Sequence, residues 1–233
     1  MSYIYLWLNV LSLLPPFFLS FHPLLQLHKR WQYLLPAIFI VAIIFVLLDM
    51  WYTSMGIWGF NSRYLIGVKI GNLPVEEVLF FICIPYACIF SYHCLNTQLK
   101  RDYFAKIHGL ISYMLMLFSG IMVLIYYHKV YTLFAFGSVL FLIFMLHFVF
   151  KVKWLSRFYF AYLILQIPFL IVNGILTGTG LKEPIVWYNA SHIIGWRILT
   201  IPFEDIFYGM AMLLMSIAIY EYLIIKKENK LLL

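Results

Sequence analysis

The sequence predicts an all-α integral membrane protein with seven transmembrane helices, arranged 3-1-3 as two parallel three-helix repeats around a linker helix. Three observations carry this. Of 233 residues, 65% are apolar, 20% aromatic and 11% charged, against about 25% charged in ordinary soluble domains. Apolar runs near the ~20 residues needed to cross a bilayer recur seven times along the chain. A polar motif between runs two and three returns between runs six and seven. With a mean hydropathy of +0.95, the chain is not expected to be a water-soluble enzyme, a disordered chain or a disulfide scaffold.

The runs lie at about 3–21, 32–51, 75–95, 107–127, 131–150, 158–177 and 203–225. Helices are expected in all of them, because lipid cannot satisfy open backbone groups. The first lysine is Lys29, so the first run lacks the basic flank of a cleavable signal peptide and is expected to be kept as a helix. Repeat one is assigned to 1–106, the linker helix to 107–127 and repeat two to 128–233.

Basic residues set the orientation. Arg63, Lys69, Lys129, Lys182 and Arg197 fall on one side. Lys29, Arg30, Lys100, Arg101, Lys106, Lys151, Lys153, Arg157, Lys226, Lys227 and Lys230 fall on the other. The richer side is expected to be cytoplasmic, which puts the N-terminus outside and the C-terminus inside. The net charge of +7 is read as cytoplasmic loops, with no nucleic-acid partner. Cys83, Cys88 and Cys94 share one apolar run, and their spacing matches no metal or redox pair.

The repeat is carried by residues that are hard to match by chance. A shift of 128 places Ile57 on Ile185, Asn61 on Asn189, Gly67 on Gly195, Ile70 on Ile198, Pro74 on Pro202 and Glu76 on Glu204, without a gap. Phe60/Tyr188, Lys69/Arg197 and Glu77/Asp205 are conservative pairs. Corresponding runs are four apart and run in the same direction, so the repeat is parallel, with a pseudo-two-fold axis along the membrane normal. Both loops, about 52–74 and 178–202, then meet on the outer side.

The two motifs read Pro74-Val75-Glu76-Glu77 and Pro202-Phe203-Glu204-Asp205. One such motif alone describes a helix start, with proline in the first turn and acids complementing the dipole. Two matched copies point further, because ionisable groups at a membrane boundary are costly and mark function. Adjacent helix positions lie about 100° apart, so one acid of each pair is expected to face a shared cavity. Glu76 and Glu204, being identical, are expected to be the inward pair. Carboxyls in a dry aromatic cavity suit acid–base work on a hydrocarbon. One carboxyl gives a proton to an alkene, its partner stabilises the cation and takes a proton back, and aromatic faces assist. Trp58, Trp187, Trp196, Tyr64, Phe80 and Tyr208 lie near the motifs, and the competing reading of each is an interfacial aromatic belt.

These residues resemble the membrane lycopene cyclases, the non-flavin, heterodimer-type carotenoid cyclases, here with both halves in one chain. The resemblance rests on Asn61, Gly67 and Pro74-Val75-Glu76-Glu77 followed by Phe80-Phe81, and on Asn189, Gly195 and Pro202-Phe203-Glu204-Asp205. It implies conversion of the ψ-ends of lycopene, or of a related linear carotenoid, to β-ionone rings with no net redox change. It implies Glu76, Glu77, Glu204 and Asp205 as catalytic candidates. Asn61, Asn189, Trp58, Trp187, Phe80 and Tyr208 are the candidate substrate contacts. No cofactor and no metal are expected: no GxGxxG follows a strand, and no histidine pair has ligand spacing. Membrane lipid and association with other carotenoid enzymes complete the expected partners, in the cell inner membrane.

Other polar residues receive blander readings. Asp49 is read as structural or interfacial, because its repeat position is Thr177. Asn61 and Asn189 either orient the carboxyls or cap their loops. Arg63 and Arg197 are read as loop or headgroup contacts, His192 as interfacial and Glu221 as solvated. A 3-1-3 transporter is the main rival reading, but it needs polar groups at the bilayer midplane. A retinal protein lacks its lysine inside a late helix. A non-catalytic carotenoid-binding protein would share the cavity without the chemistry.

Overall fold

The structure is a computed structural model that describes residues 3–231. Residues 1, 2, 232 and 233 and the side chains of 228–231, Lys230 of the basic count among them, lie outside that description. The described chain forms seven α-helices: α1 Ile4–Leu19, α2 Trp31–Ser54, α3 Val75–Gln98, α4 His108–Ile125, α5 Val130–Phe144, α6 Leu155–Leu176 and α7 Phe203–Leu231. They fall on the seven apolar runs. A π-helical turn, Met145–Val149, extends α5.

Six of these helices are long and apolar enough to cross a membrane. The exception is α1, with 16 residues. At 1.5 Å per residue it reaches about 24 Å, short of the roughly 30 Å of a hydrocarbon core.

Packing follows the order of the chain. α1 lies on α3 as α5 lies on α7, and α2 contacts both α3 and α7. α4 packs on α5 and touches α6. The main core joins Leu34, Tyr86, Phe136, Phe158 and Leu214. A second core lies under the two long loops and gathers Tyr52, Ile57, Trp58, Tyr131 and Ile185.

The long loops are ordered by small strand pairs. β1 (Trp58–Phe60) and β4 (Val186–Tyr188) pair antiparallel, with Trp58 opposite Tyr188 and Phe60 opposite Val186. β2 (Lys69–Ile70) pairs with β3 (Leu73–Pro74), and β5 (Arg197–Ile198) with β6 (Ile201–Pro202). The loops share two local bonds at equivalent positions. Asn61 Oδ1 accepts from Arg63 N at 3.1 Å, and Asn189 Oδ1 from Ser191 N at 3.0 Å. Val75 N donates to Val68 O at 3.0 Å, and Phe203 N to Trp196 O at 2.9 Å.

Gly67 and Gly195 hold φ of +95° and +94°, a left-handed conformation that a Cβ disfavours by ~1–2 kcal/mol. Gly195→Ala is therefore expected to lower stability by about that amount. Gly120→Ala, inside α4 with open space around its Cβ position, is the control, expected to hold or raise stability by up to ~1 kcal/mol. Thermal unfolding in detergent measures both.

Candidate functional site

The first turns of α3 and α7 carry the acids. Pro74 precedes α3 in an extended conformation, φ −66° and ψ 147°, so the helix begins directly at Val75. Glu76 and Glu77 then fall in its first turn, as Glu204 and Asp205 fall in the first turn of α7. All four are buried.

The two members of each pair do different things. Glu76 Oε1 accepts the backbone N–H of Ile66 at 2.5 Å. Glu204 Oε1 accepts the N–H of Ile194 at 2.6 Å and the Thr132 hydroxyl at 2.7 Å. Each acid thus ties down the loop ten residues before it. Their second oxygens, Oε2 in both, are buried with no hydrogen-bond partner among the described residues.

Glu77 and Asp205 instead line a cavity of about 280 Å³. The expected inward pair, Glu76 and Glu204, does not line it. The cause is helical phase: with Glu76 and Glu204 turned back on their own loops, the next residue, about 100° on, faces the axis. One acid of each pair faces the cavity, as expected, but it is the second.

The cavity lies among α1, α3, α6, α7, the start of α5 at Tyr131 and the β1–β4 pair. Along α3 its wall runs from Glu77 to Ser91, roughly 21 Å at helical rise. Among the described residues, no lysine, arginine or histidine lines it. The carboxyls are held by neutral donors. Tyr5 OH donates to Glu77. Asp205 accepts Tyr131 OH at 2.6 Å, Asn173 Nδ2 at 2.8 Å and Tyr188 OH at 2.9 Å. Burial, and then the neighbouring Asp205 carboxylate, push the Tyr188 phenol well above its ordinary range, so it remains a donor.

Trp58, Phe80 and Tyr208 line the cavity as expected. Tyr208 lies 5.6 Å from Tyr131 and 6.0 Å from Trp58, ring to ring, and its buried hydroxyl has no partner among the described residues. The other three candidate contacts do not line it. Trp187 is exposed, because alternation along β4 sends Val186 and Tyr188 inward and Trp187 out. It covers Gly59, its partner in the β1–β4 register. Asn61 and Asn189 cap their loops, and their side-chain amides go to Glu183 Oε2 at 2.9 Å and Gly56 O at 3.2 Å.

Arg63 is a loop residue, 3.8 Å from Glu183. Arg197 donates to Thr200 O at 2.5 Å. His192 is half-buried, and its carbonyl accepts from Tyr131 N at 3.2 Å. Glu221 is not simply solvated: it is half-buried and accepts from Tyr92 OH at 2.8 Å. Asp49 is fully buried and receives the Trp58 indole N–H.

The sequence reading missed Tyr5, Tyr131, Asn173 and Tyr188. A signal for the first two existed. Tyr5 and Tyr131 are 126 apart, two short of the loop spacing, and become equivalent once a two-residue gap is allowed between the first helix of each repeat and its loop.

Removing the loop ties carries an expected cost. Glu76→Ala leaves the part-buried Ile66 N–H unpaired and is expected to destabilise by about 1 kcal/mol. Glu204→Ala releases two donors and should cost more. Unfolding midpoints in detergent rank them.

The family model described as lycopene cyclase matches the chain twice, over residues 2–95 and 128–223. Comparisons with curated proteins and with solved structures return no match.

Proposed function

The chain belongs to the lycopene cyclase family, and from that membership we propose that it closes the ψ-ends of lycopene into β-ionone rings by proton-initiated cyclisation, an intramolecular lyase or isomerase reaction. The observation that carries the mechanism is the pair Glu77 and Asp205, one from each motif, in the wall of a single aromatic cavity without a cation.

The unequal hydrogen bonding supports a division of labour. Asp205 receives three donors, an arrangement that favours its anion. Glu77 receives one, from Tyr5. Glu77 is therefore assigned as the acid. Its proton adds to the terminal double bond of the ψ-end and leaves a tertiary cation. The neighbouring trisubstituted double bond attacks that cation, which closes the six-membered ring and moves the charge to the methyl-bearing ring carbon. Asp205 and the faces of Trp58, Phe80 and Tyr208 stabilise the positive charge. Asp205 acts as the base and takes the proton from the ring carbon that bears the polyene chain, which forms the double bond of the β ring. One proton enters and one leaves, so no electrons are exchanged. Glu76 and Glu204 act at one remove, by holding the loops that close the cavity.

The same reading sets the architecture. α1–α3 (1–106) and α5–α7 (128–233) form the two parallel halves, and α4 (107–127) links them, in a 3-1-3 order with α1 as the seventh span. The richer set of basic residues then faces the cytoplasm, with the acid cluster toward the outer side of the inner membrane. Lipid and other carotenoid enzymes are the expected neighbours. A transporter is not favoured, because the two carboxyls that line the cavity, Glu77 and Asp205, both sit in the first turns of their helices, at one end of it.

Expression in a lycopene-accumulating bacterium, with pigments resolved by chromatography, tests the proposal. β-Carotene or γ-carotene is expected, and unchanged lycopene beside folded protein would overturn it. Glu77→Gln and Asp205→Asn are each expected to lower turnover by about 10²-fold or more. A protein that only bound carotenoid would retain binding in both variants and yield no ring in the wild type.

A further inference from the structure

Asp49 is left over by the mechanism above. It sits on α2, is 0% exposed, and takes the indole N–H of Trp58 on one carboxyl oxygen. Its other oxygen, Oδ2, is buried without a partner. No lysine, arginine or histidine hydrogen-bonds or ion-pairs with it among the described residues. A buried carboxyl is costly where no cation compensates it, and here its one side-chain hydrogen bond is spent on one tryptophan.

That tryptophan lines the cavity and sits among four tyrosines. The Trp58 ring lies 4.8 Å from Tyr52, 5.0 Å from Tyr131, 5.9 Å from Tyr188 and 6.0 Å from Tyr208. Two of these phenols, Tyr131 and Tyr188, are donors to Asp205. A tilt of the indole would therefore disturb both the aromatic wall and the donors of the proposed base. β1 is only three residues long and cannot by itself define the ring's orientation.

We infer that Asp49 is a positioning residue, which through the indole N–H holds Trp58 in the cavity wall where its π surface meets the cation. Hydrogen bonding at the N–H also polarises the ring, and an electron-rich face attracts a cation more strongly. Asp49 does not itself line the cavity and acts through Trp58. The inference rests on the cyclase reading for its effect on rate, and on the structure alone for its effect on the indole.

Four variants test it: Asp49→Leu, Asp49→Asn, Trp58→Phe and the Leu/Phe double. Steady-state rates on lycopene in vesicles give kcat and KM, and ultraviolet resonance Raman spectra read the indole N–H, with Trp58→Phe identifying the Trp58 band. Asp49→Leu is expected to shift that band to the unbonded position and to lower kcat about tenfold, with KM within about twofold. Asp49→Asn keeps an acceptor oxygen but loses the charge, so it is expected to move the band part of the way and to keep most of kcat, and this partial shift carries the test if the leucine variant does not fold. The double variant should be no slower than Trp58→Phe alone. An unmoved indole band in both Asp49 variants, or additive rate losses in the double, would overturn the inference. A wild-type chain that makes no ring would sink the cyclase reading instead, and the indole band would still decide whether Asp49 holds Trp58.

Discussion

Two carboxyls are buried together with no cation beside them among the described residues, and most of the site's architecture follows from how they are kept there. An unpaired buried charge is among the costliest groups a protein can hold. Here the compensation is neutral hydrogen bonding, and the donors come from four different elements. Tyr5 belongs to α1, Tyr131 to α5, Asn173 to α6 and Tyr188 to β4. Glu77 and Asp205 themselves start α3 and α7. Six segments must converge for the pair to be tolerable, and their convergence defines the cavity.

The paired motifs divide this work between neighbours. The first acid of each pair bonds backward to its loop and the second faces the axis. Helix-dipole complementarity supplies a reason for acids at both positions, but the local bonds separate their roles. Glu76 and Glu204 act as fasteners for segments that would otherwise leave amide groups unpaired. Trp187 and Gly59 add a cover to the β1–β4 pair on the outside.

Much of this was legible in the residues. Hydropathy located all seven helices within a few residues, because lipid leaves the backbone little alternative. The doubled Pro-x-Glu-Glu/Asp pattern located the acid cluster. What failed was phase. Identity between Glu76 and Glu204 suggested the inward pair, yet identity reported a shared structural bond, and the members that differ, Glu77 and Asp205, face the cavity. Asn61, Asn189 and Trp187 were matched or nearby residues whose side chains turn to the loops. Tyr5 and Tyr131 stayed hidden because their spacing slips by two from that of the loops, and an isolated tyrosine in an apolar run carries no signal of what it touches. Asp49 was discounted for lacking a repeat partner, although its contact, Trp58, belongs to a loop that is itself repeated.

The β1–β4 ladder has a consequence for how the molecule comes into being. It joins Trp58 to Tyr188, residues separated by most of the chain, and closing so long a loop is slow and entropically unfavourable before neighbouring contacts exist. Helices inserted one by one during synthesis cannot form it until α6 and the segment after it have emerged. A half-made chain therefore carries Glu77 without Asp205 across from it. The two-carboxyl cavity is therefore assembled last, when the nascent chain is almost complete, and no shorter chain presents both acids to one space.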